Sequence, residues 1–159
     1  MRLIFMAIGS IAIVAGSFFI TLHFIDTYRL MKLSPDQLRK ADVDALQRAL
    51  EAYKKAHHTY QVAGAGSGGM GWVNYSYDGA PSLVKALHDG GYLPSANLND
   101  SSQLGNYLIY LCDGGHRYSI SATLDHPSAA EISHALTTCN GTGPNGTFTV
   151  YKKNYSVGN

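Results

Sequence analysis

The sequence has no stretch of concentrated positive charge. Charged residues make up only 14% of the chain, and its net charge is +1. Residues 26–60 hold seven Lys and Arg against five Asp and Glu, whereas residues 61–159 hold four against six. Nucleic-acid binding needs a basic stripe that neutralises phosphates, so no nucleic-acid partner is expected. Cysteine is scarce too: Cys112 and Cys139 are the only two. In an oxidising compartment they would pair and close a loop worth about 3 kcal/mol; otherwise they are two buried thiols. No Ser/His/Asp or Cys/His set stands in a nucleophile motif. The glycine-rich stretch 63–71 (AGAGSGGMG) lacks the lysine and Ser/Thr of a phosphate-binding loop, and no strand signal precedes it. The expectation is a protein that is not an enzyme.

What the chain does have is a long apolar run. Leu3–Ile25 contains no charged residue and a single histidine, His23. At ~1.5 Å per residue these residues cover about 34 Å, enough for a ~30 Å hydrocarbon core. A cleaved signal peptide is the competing reading, with Arg2 as its basic end and Ala15-Gly16-Ser17 as its small-residue site. That cut would leave Phe18-Phe19-Ile20 at a new terminus, so a retained anchor ranks ahead. The anchor in turn favours the disulfide. Arg29, Lys32, Arg39 and Lys40 follow the run and would pull its C-terminal side towards the cytoplasm. The disulfide and the weakly charged, Tyr- and Gly-rich remainder favour an exported head. The lipid bilayer is therefore the first expected partner.

The division expected is an anchor and juxtamembrane segment over 1–33, an amphipathic stalk helix over 34–60, and a globular head over 61–159. Ser34-Pro35-Asp36-Gln37 is a helix start: Ser caps, Pro suits the first turn, Asp favours the positive dipole end, and Gln can close a capping box. Val43, Leu46, Leu50 and Tyr53 then fall on one stripe, beside a small-residue stripe of Ala41, Ala45, Ala49, Ala52 and Ala56. Asp36–Lys40, Asp44–Arg48 and Glu51–Lys55 stand at i,i+4 in the favoured order. The apolar stripe fits a head core; the alanines would also let a second helix approach closely. His57 and His58 suit the negative end of the helix dipole.

In the head, 63–71 reads as a flexible loop and Ser82–His88 as a short helix capped by Ser82 and stopped by Gly90-Gly91. Asn106–Cys112 and Arg117–Leu124 read as strands joined by an Asp113-Gly114-Gly115 turn, with Tyr118, Ile120, Ala122 and Leu124 facing the stalk. One helical turn is expected within Ala129–Leu136 and a third strand over Phe148–Tyr155. The fold class is α+β: a long helix packed against a small antiparallel sheet.

These segments resemble those of a known family in the same order. Asp42–Tyr60 (DVDALQRALEAYKKAHHTY), Gly90–Pro94 (GGYLP) and Gly105–Leu124 (GNYLIYLCDGGHRYSISATL) are similar to the long helix, pre-sheet segment and paired strands of type II secretion major pseudopilins and type IV pilin-like proteins. The likeness implies a pilin-like roll, a single-pass inner-membrane protein with its head in the periplasm or outside the cell, and protein-transport or pilus function. It also implies assembly with like subunits or other pilin-like proteins, through helix packing at Val43, Leu46, Leu50 and Tyr53. Gly9 and Gly16 are the candidate processing sites. The chain departs from the family in having no acid after either glycine within the apolar run, Gln61 where a proline is usual, and no late acid-bearing calcium loop. The alternative is therefore a single-span envelope protein whose pilin-like head serves for binding or scaffolding and never polymerises.

No cofactor is expected. Seven histidines raise a metal reading, and Glu131 and His134 stand at i,i+3 near His126, but tight sites need three or four converging ligands. Asn97, Asn99, Asp100 and Asp113 carry the oxygens a calcium ion would want, though polar turn chemistry accounts for them equally. The lone tryptophan, Trp72, with Tyr75 and Tyr77, forms either a glycan- or partner-facing patch or a loop anchor on the core.

Overall fold

A computed structural model describes residues 33–66, 69–98, 107–141 and 151–159. The apolar run, Gly9 and Gly16, residues Asn99 and Asp100, and the start of the expected last strand lie outside the described residues. Among the described residues no helix is long and apolar enough to cross a membrane. Residues 35–159 form one compact unit, with the long helix inside it.

That helix, α1, spans Pro35–His57. Lys54, Lys55 and His57 crowd its last turn, where cations suit the dipole. His58 then takes a left-handed conformation (φ 62°) and its N–H reaches the Lys54 carbonyl, which ends the helix. The sheet is an antiparallel meander of β1 (Met70–Trp72), β2 (Leu108–Cys112), β3 (Arg117–Ala122) and β4 (Tyr155–Gly158), in that spatial order. Ile109 pairs with Ile120, and Ile120 with Val157. Because side chains alternate across a strand, Ile120 and its neighbours Tyr118 and Ala122 share one face. That face and Val43, Leu46, Ala49 and Leu50 of α1 form a single core, joined by Tyr60, Val73 and Leu87. Leu124 is also buried, beyond that cluster.

The other sheet face is polar but dry. Ser119, Ser121, Thr138 and Ser156 are buried there, with Ser119 and Ser156 each 3.1 Å from Thr138 in a hydroxyl relay. The segment that covers them contains α3 (Ala129–Ala135), capped by Ser128 and Glu131 in a reciprocal capping box. Cys139 in the same segment is bonded to Cys112 at the end of β2, so the two cysteines do pair. A shorter helix, α2 (Leu83–Asp89), starts at Ser82 and stops at Gly90.

Several local expectations need correction. Among the described residues the sheet has four strands, and the last begins at Tyr155, where the expected strand ended. The missed strand, β1, begins within the stretch read as a flexible loop and runs one residue past it. The described part of that stretch is packed: Ala65 is buried, and a Cβ on Gly64 would lie 2.1 Å from the Pro81 carbonyl oxygen. Two of the i,i+4 acids are also used otherwise. Asp36 pairs with Arg39 and accepts the Asp125 and His126 N–H groups at 2.8 Å, while Lys40 reaches across to Glu131. Glu51 accepts from the hydroxyls of Tyr60 (3.0 Å) and Tyr118 (2.8 Å). Tertiary donors won because they arrive already positioned by the fold, whereas an exposed lysine must be ordered to pair.

Candidate aromatic cleft

Edge strand β1 creates the most distinctive surface of the unit. Val73 donates its N–H inward to the Tyr107 carbonyl, so the preceding N–H, on Trp72, points away from β2. An unpaired edge N–H invites intermolecular pairing. Here the Tyr77 hydroxyl accepts it at 2.7 Å. Tyr77 gets that close because residue 71 is glycine: a Cβ there would lie 2.8 Å from the Tyr77 ring. The turn thus folds back, and its aromatic side chains stand around the end of the strand.

The result is an open cleft of about 560 Å³, lined by Met70, Trp72, Asn74, Tyr75, Tyr77 and Tyr151, with Leu108 buried beneath. Trp72 meets Tyr151 edge-on (5.2 Å between centroids, 83° between planes), and Tyr75 meets Tyr77 at 5.0 Å and 63°. Near-perpendicular pairing is the favoured arrangement of aromatic quadrupoles, and it leaves ring faces open. Tyr75 is 55% exposed, and Met70 and Tyr151 are each 37% exposed. Among the described residues five large hydrophobic side chains are exposed, and these three are the ones that share a cleft.

Among the described residues no charged side chain lines the cleft. One stands close to it: the Lys153 ammonium lies 5.1 Å from the centre of the Trp72 ring, in a residue only 5% exposed. Burial, together with the nearby Arg39 charge, lowers its pKa to about 8. Lys153 also donates to the Thr123 hydroxyl at 3.4 Å.

The residues singled out from the sequence are dispersed. Val43, Leu46 and Leu50 are fully buried in the chain's own core, so the packing they provide is helix to sheet. Tyr53 is half-buried and stacks on His57 at 4.1 Å, with Tyr92 edge-on to it at 5.4 Å. His57 also shares a 2.9 Å hydrogen bond with the Tyr92 hydroxyl. Glu131 is committed to the Ser128 cap and to Lys40, which draw its pKa down to about 2. No group of three or more His, Cys, Asp and Glu among the described residues could hold a metal ion. Asp113 takes up the β2–β3 turn, and the Asn97 backbone N–H is held by Ser95. Trp72, Tyr75 and Tyr77 do come together. Their partners Met70, Leu108 and Tyr151 were missed; the only sequence signal was the aromatic density around Trp72, which says nothing of a residue 79 positions away. No protein family, curated protein or solved structure matches the chain.

Proposed function

We propose that the chain is a non-enzymatic, pilin-like structural subunit of a secretion or type IV pilus-type apparatus. In this reading residues 3–25 root it in the inner membrane and residues 35–159 form the exported head. One observation carries the reading: a long helix with one face closed by an antiparallel meander and the other left open. Val43, Leu46, Ala49 and Leu50 are spent on the head, while Asp44, Arg48, Ala52, Lys55 and Ala56 stay exposed along the opposite side. Ala52 and Ala56 would let a neighbouring helix approach closely, flanked by charges of both signs. Assembly then runs through this exposed face rather than through the buried Val43, Leu46 and Leu50. The Cys112–Cys139 bond supports an oxidising compartment for the head.

The test is the mass of the N-terminus recovered from native membranes. A cut after Gly9 or Gly16 with an N-methyl group on the new terminus supports a subunit that assembles. An Arg48→Cys variant should then cross-link between copies in the membrane. An intact Met1 start with no cross-link refutes polymerisation.

The aromatic cleft favours a second reading, a stationary single-span envelope protein whose head is a binding module. It predicts the intact start, and ligand binding by the head without assembly.

A further inference from the structure

We infer that the cleft between β1 and Tyr151 is a docking groove for a proline-rich segment of a partner protein. The segment lies in it as a polyproline II helix, with its pyrrolidine rings against the aromatic side chains and its carbonyls on the cleft's donors. The inference goes beyond both readings above, since a head displayed on a filament and a head on a stationary anchor would bind equally.

Backbone geometry narrows the mode of binding first. An edge strand is where an extended peptide adds by strand pairing. At Trp72 the edge of β1 is closed to that. Its N–H donates to the Tyr77 hydroxyl at 2.7 Å, and its carbonyl accepts the Tyr75 N–H at 3.1 Å. Both outward groups of Trp72 are therefore spent on its own turn. In a strand of three residues this leaves too little for a ladder. A ligand must meet the side chains.

Those side chains offer angled ring faces and hydrogen-bond donors. Trp72 meets Tyr151 at 83° and Tyr75 meets Tyr77 at 63°, so each pair makes a corner. A pyrrolidine is a compact apolar ring that packs into such a corner, and aromatic-lined grooves are the usual receptors of proline-rich segments. The polar groups decide between this and other neutral ligands. The Tyr77 oxygen already accepts the Trp72 N–H, while its own proton has no acceptor among the described residues. A hydroxyl that accepts is polarised into a stronger donor. The Trp72 indole can only donate, the Asn74 amide carries two further donor hydrogens, and among the described residues no carboxylate lines the cleft. Consecutive prolines match this bias, because they present carbonyl acceptors and no N–H, in a helix without internal hydrogen bonds. Sugar hydroxyls and ordinary peptide N–H groups bring donors that need acceptors, and each one left unmade costs affinity. Polyproline II is also already formed in the free chain, which keeps the ordering cost of binding low.

Trp72 is the sole tryptophan and lines the cleft, so its fluorescence reports occupancy directly. The full chain, held in lauryldimethylamine oxide, is titrated with decaproline, a Gly-Ser decapeptide, cellohexaose and tetramethylammonium. A saturable change in Trp72 emission with decaproline is expected, and none with the other three. Tyr75→Ala should weaken decaproline binding roughly tenfold or more, since Tyr75 is 55% exposed and presents the most open ring. Tyr77→Phe keeps the ring and deletes the donor, and should weaken it about fivefold. Both variants keep the fold, because Tyr75 and Tyr77 lie outside the core, and circular dichroism verifies this. An Ile132→Ala control on the exposed face of α3 should bind as the parent does. No decaproline response up to millimolar concentration overturns the inference. So does equal or tighter binding of the Gly-Ser peptide, cellohexaose or tetramethylammonium, or decaproline binding indifferent to Tyr75→Ala or to Tyr77→Phe. None of these outcomes bears on N-terminal processing, so the failure of one proposal is separable from that of the other.

Discussion

Reducing the Cys112–Cys139 bond should remove a large part of the head's stability. The bond spans 27 residues of sequence. Cross-linking removes about 2.1 + 1.5R ln n cal/mol/K of unfolded-chain entropy, which for this loop gives about 3.5 kcal/mol at 25 °C. The compact unit runs from Pro35 to Asn159. At ~2.1 cal/mol/K per residue its unfolding entropy is ~0.26 kcal/mol/K, so the melting temperature should fall by about 13 °C. The assay compares oxidised and reduced parent protein, with no substitution that would open a cavity at buried Cys139. Full urea curves are needed, because the cross-linked unfolded chain is more compact and lowers the m-value, making midpoints alone misleading. A loss below 1 kcal/mol would refute the reasoning. It would mean that the Ser119–Thr138–Ser156 hydroxyls and the Asn159 hydrogen bonds to Tyr118 and Cys139 already fasten this segment, and that the reduced unfolded chain stays locally ordered.

Leu50→Glu should unfold the head, at a cost above about 4 kcal/mol, because it places an unpaired carboxylate at a position with no exposure. His126→Ala and His134→Ala should each stay within about 0.5 kcal/mol, and denaturation of all three separates core from surface. Lys153 has its pKa lowered from 10.5 to about 8 by burial and then by Arg39, so below pH 8 it is charged in both states and weakens the fold. That penalty lifts as pH rises from about 8 towards 10.5, and stability should climb with it until the tyrosines begin to ionise. Lys153→Met should flatten this slope; an unchanged slope sinks the assignment. Glu131 behaves in the opposite sense: Lys40 and Ser128 hold its pKa near 2 against an ordinary 4.5. Its contribution is full above pH 4.5 and fades towards pH 2. The pair is partly solvated, so Glu131→Gln should remove about 1 kcal/mol or less, seen as a shallower acid limb in pH-dependent melts.

How far the sequence foretold this molecule depends on the range of the interactions involved. Local chemistry was legible. Ser82 caps the helix it was expected to cap, and the Asp113–Gly115 turn joins the strands it was expected to join. The 3.6-residue spacing of Val43, Leu46 and Leu50 picks out the face that meets β3. Strand β1 was hidden because three residues, two of them Met and Gly, carry no alternation; it is a strand only because β2 offers it a ladder. Charge pairing was hidden for a related reason. The i,i+4 rule counts neighbours on one helix, yet Asp36 is claimed by backbone N–H groups almost ninety residues away. Burial of Asp42 against the Tyr107 hydroxyl, at 2.8 Å, is equally non-local.

The cleft brings both kinds of information together. Its rings cluster in sequence from Trp72 to Tyr77, and Gly71 is the local residue that lets Tyr77 close over the strand end. Its second wall, Tyr151, and the charge near it, Lys153, arrive from the C-terminal end through the register of β4 on β3. A short aromatic turn alone reads as a loop anchor. Only with the distant ring of Tyr151 opposite does it become one wall of a cleft.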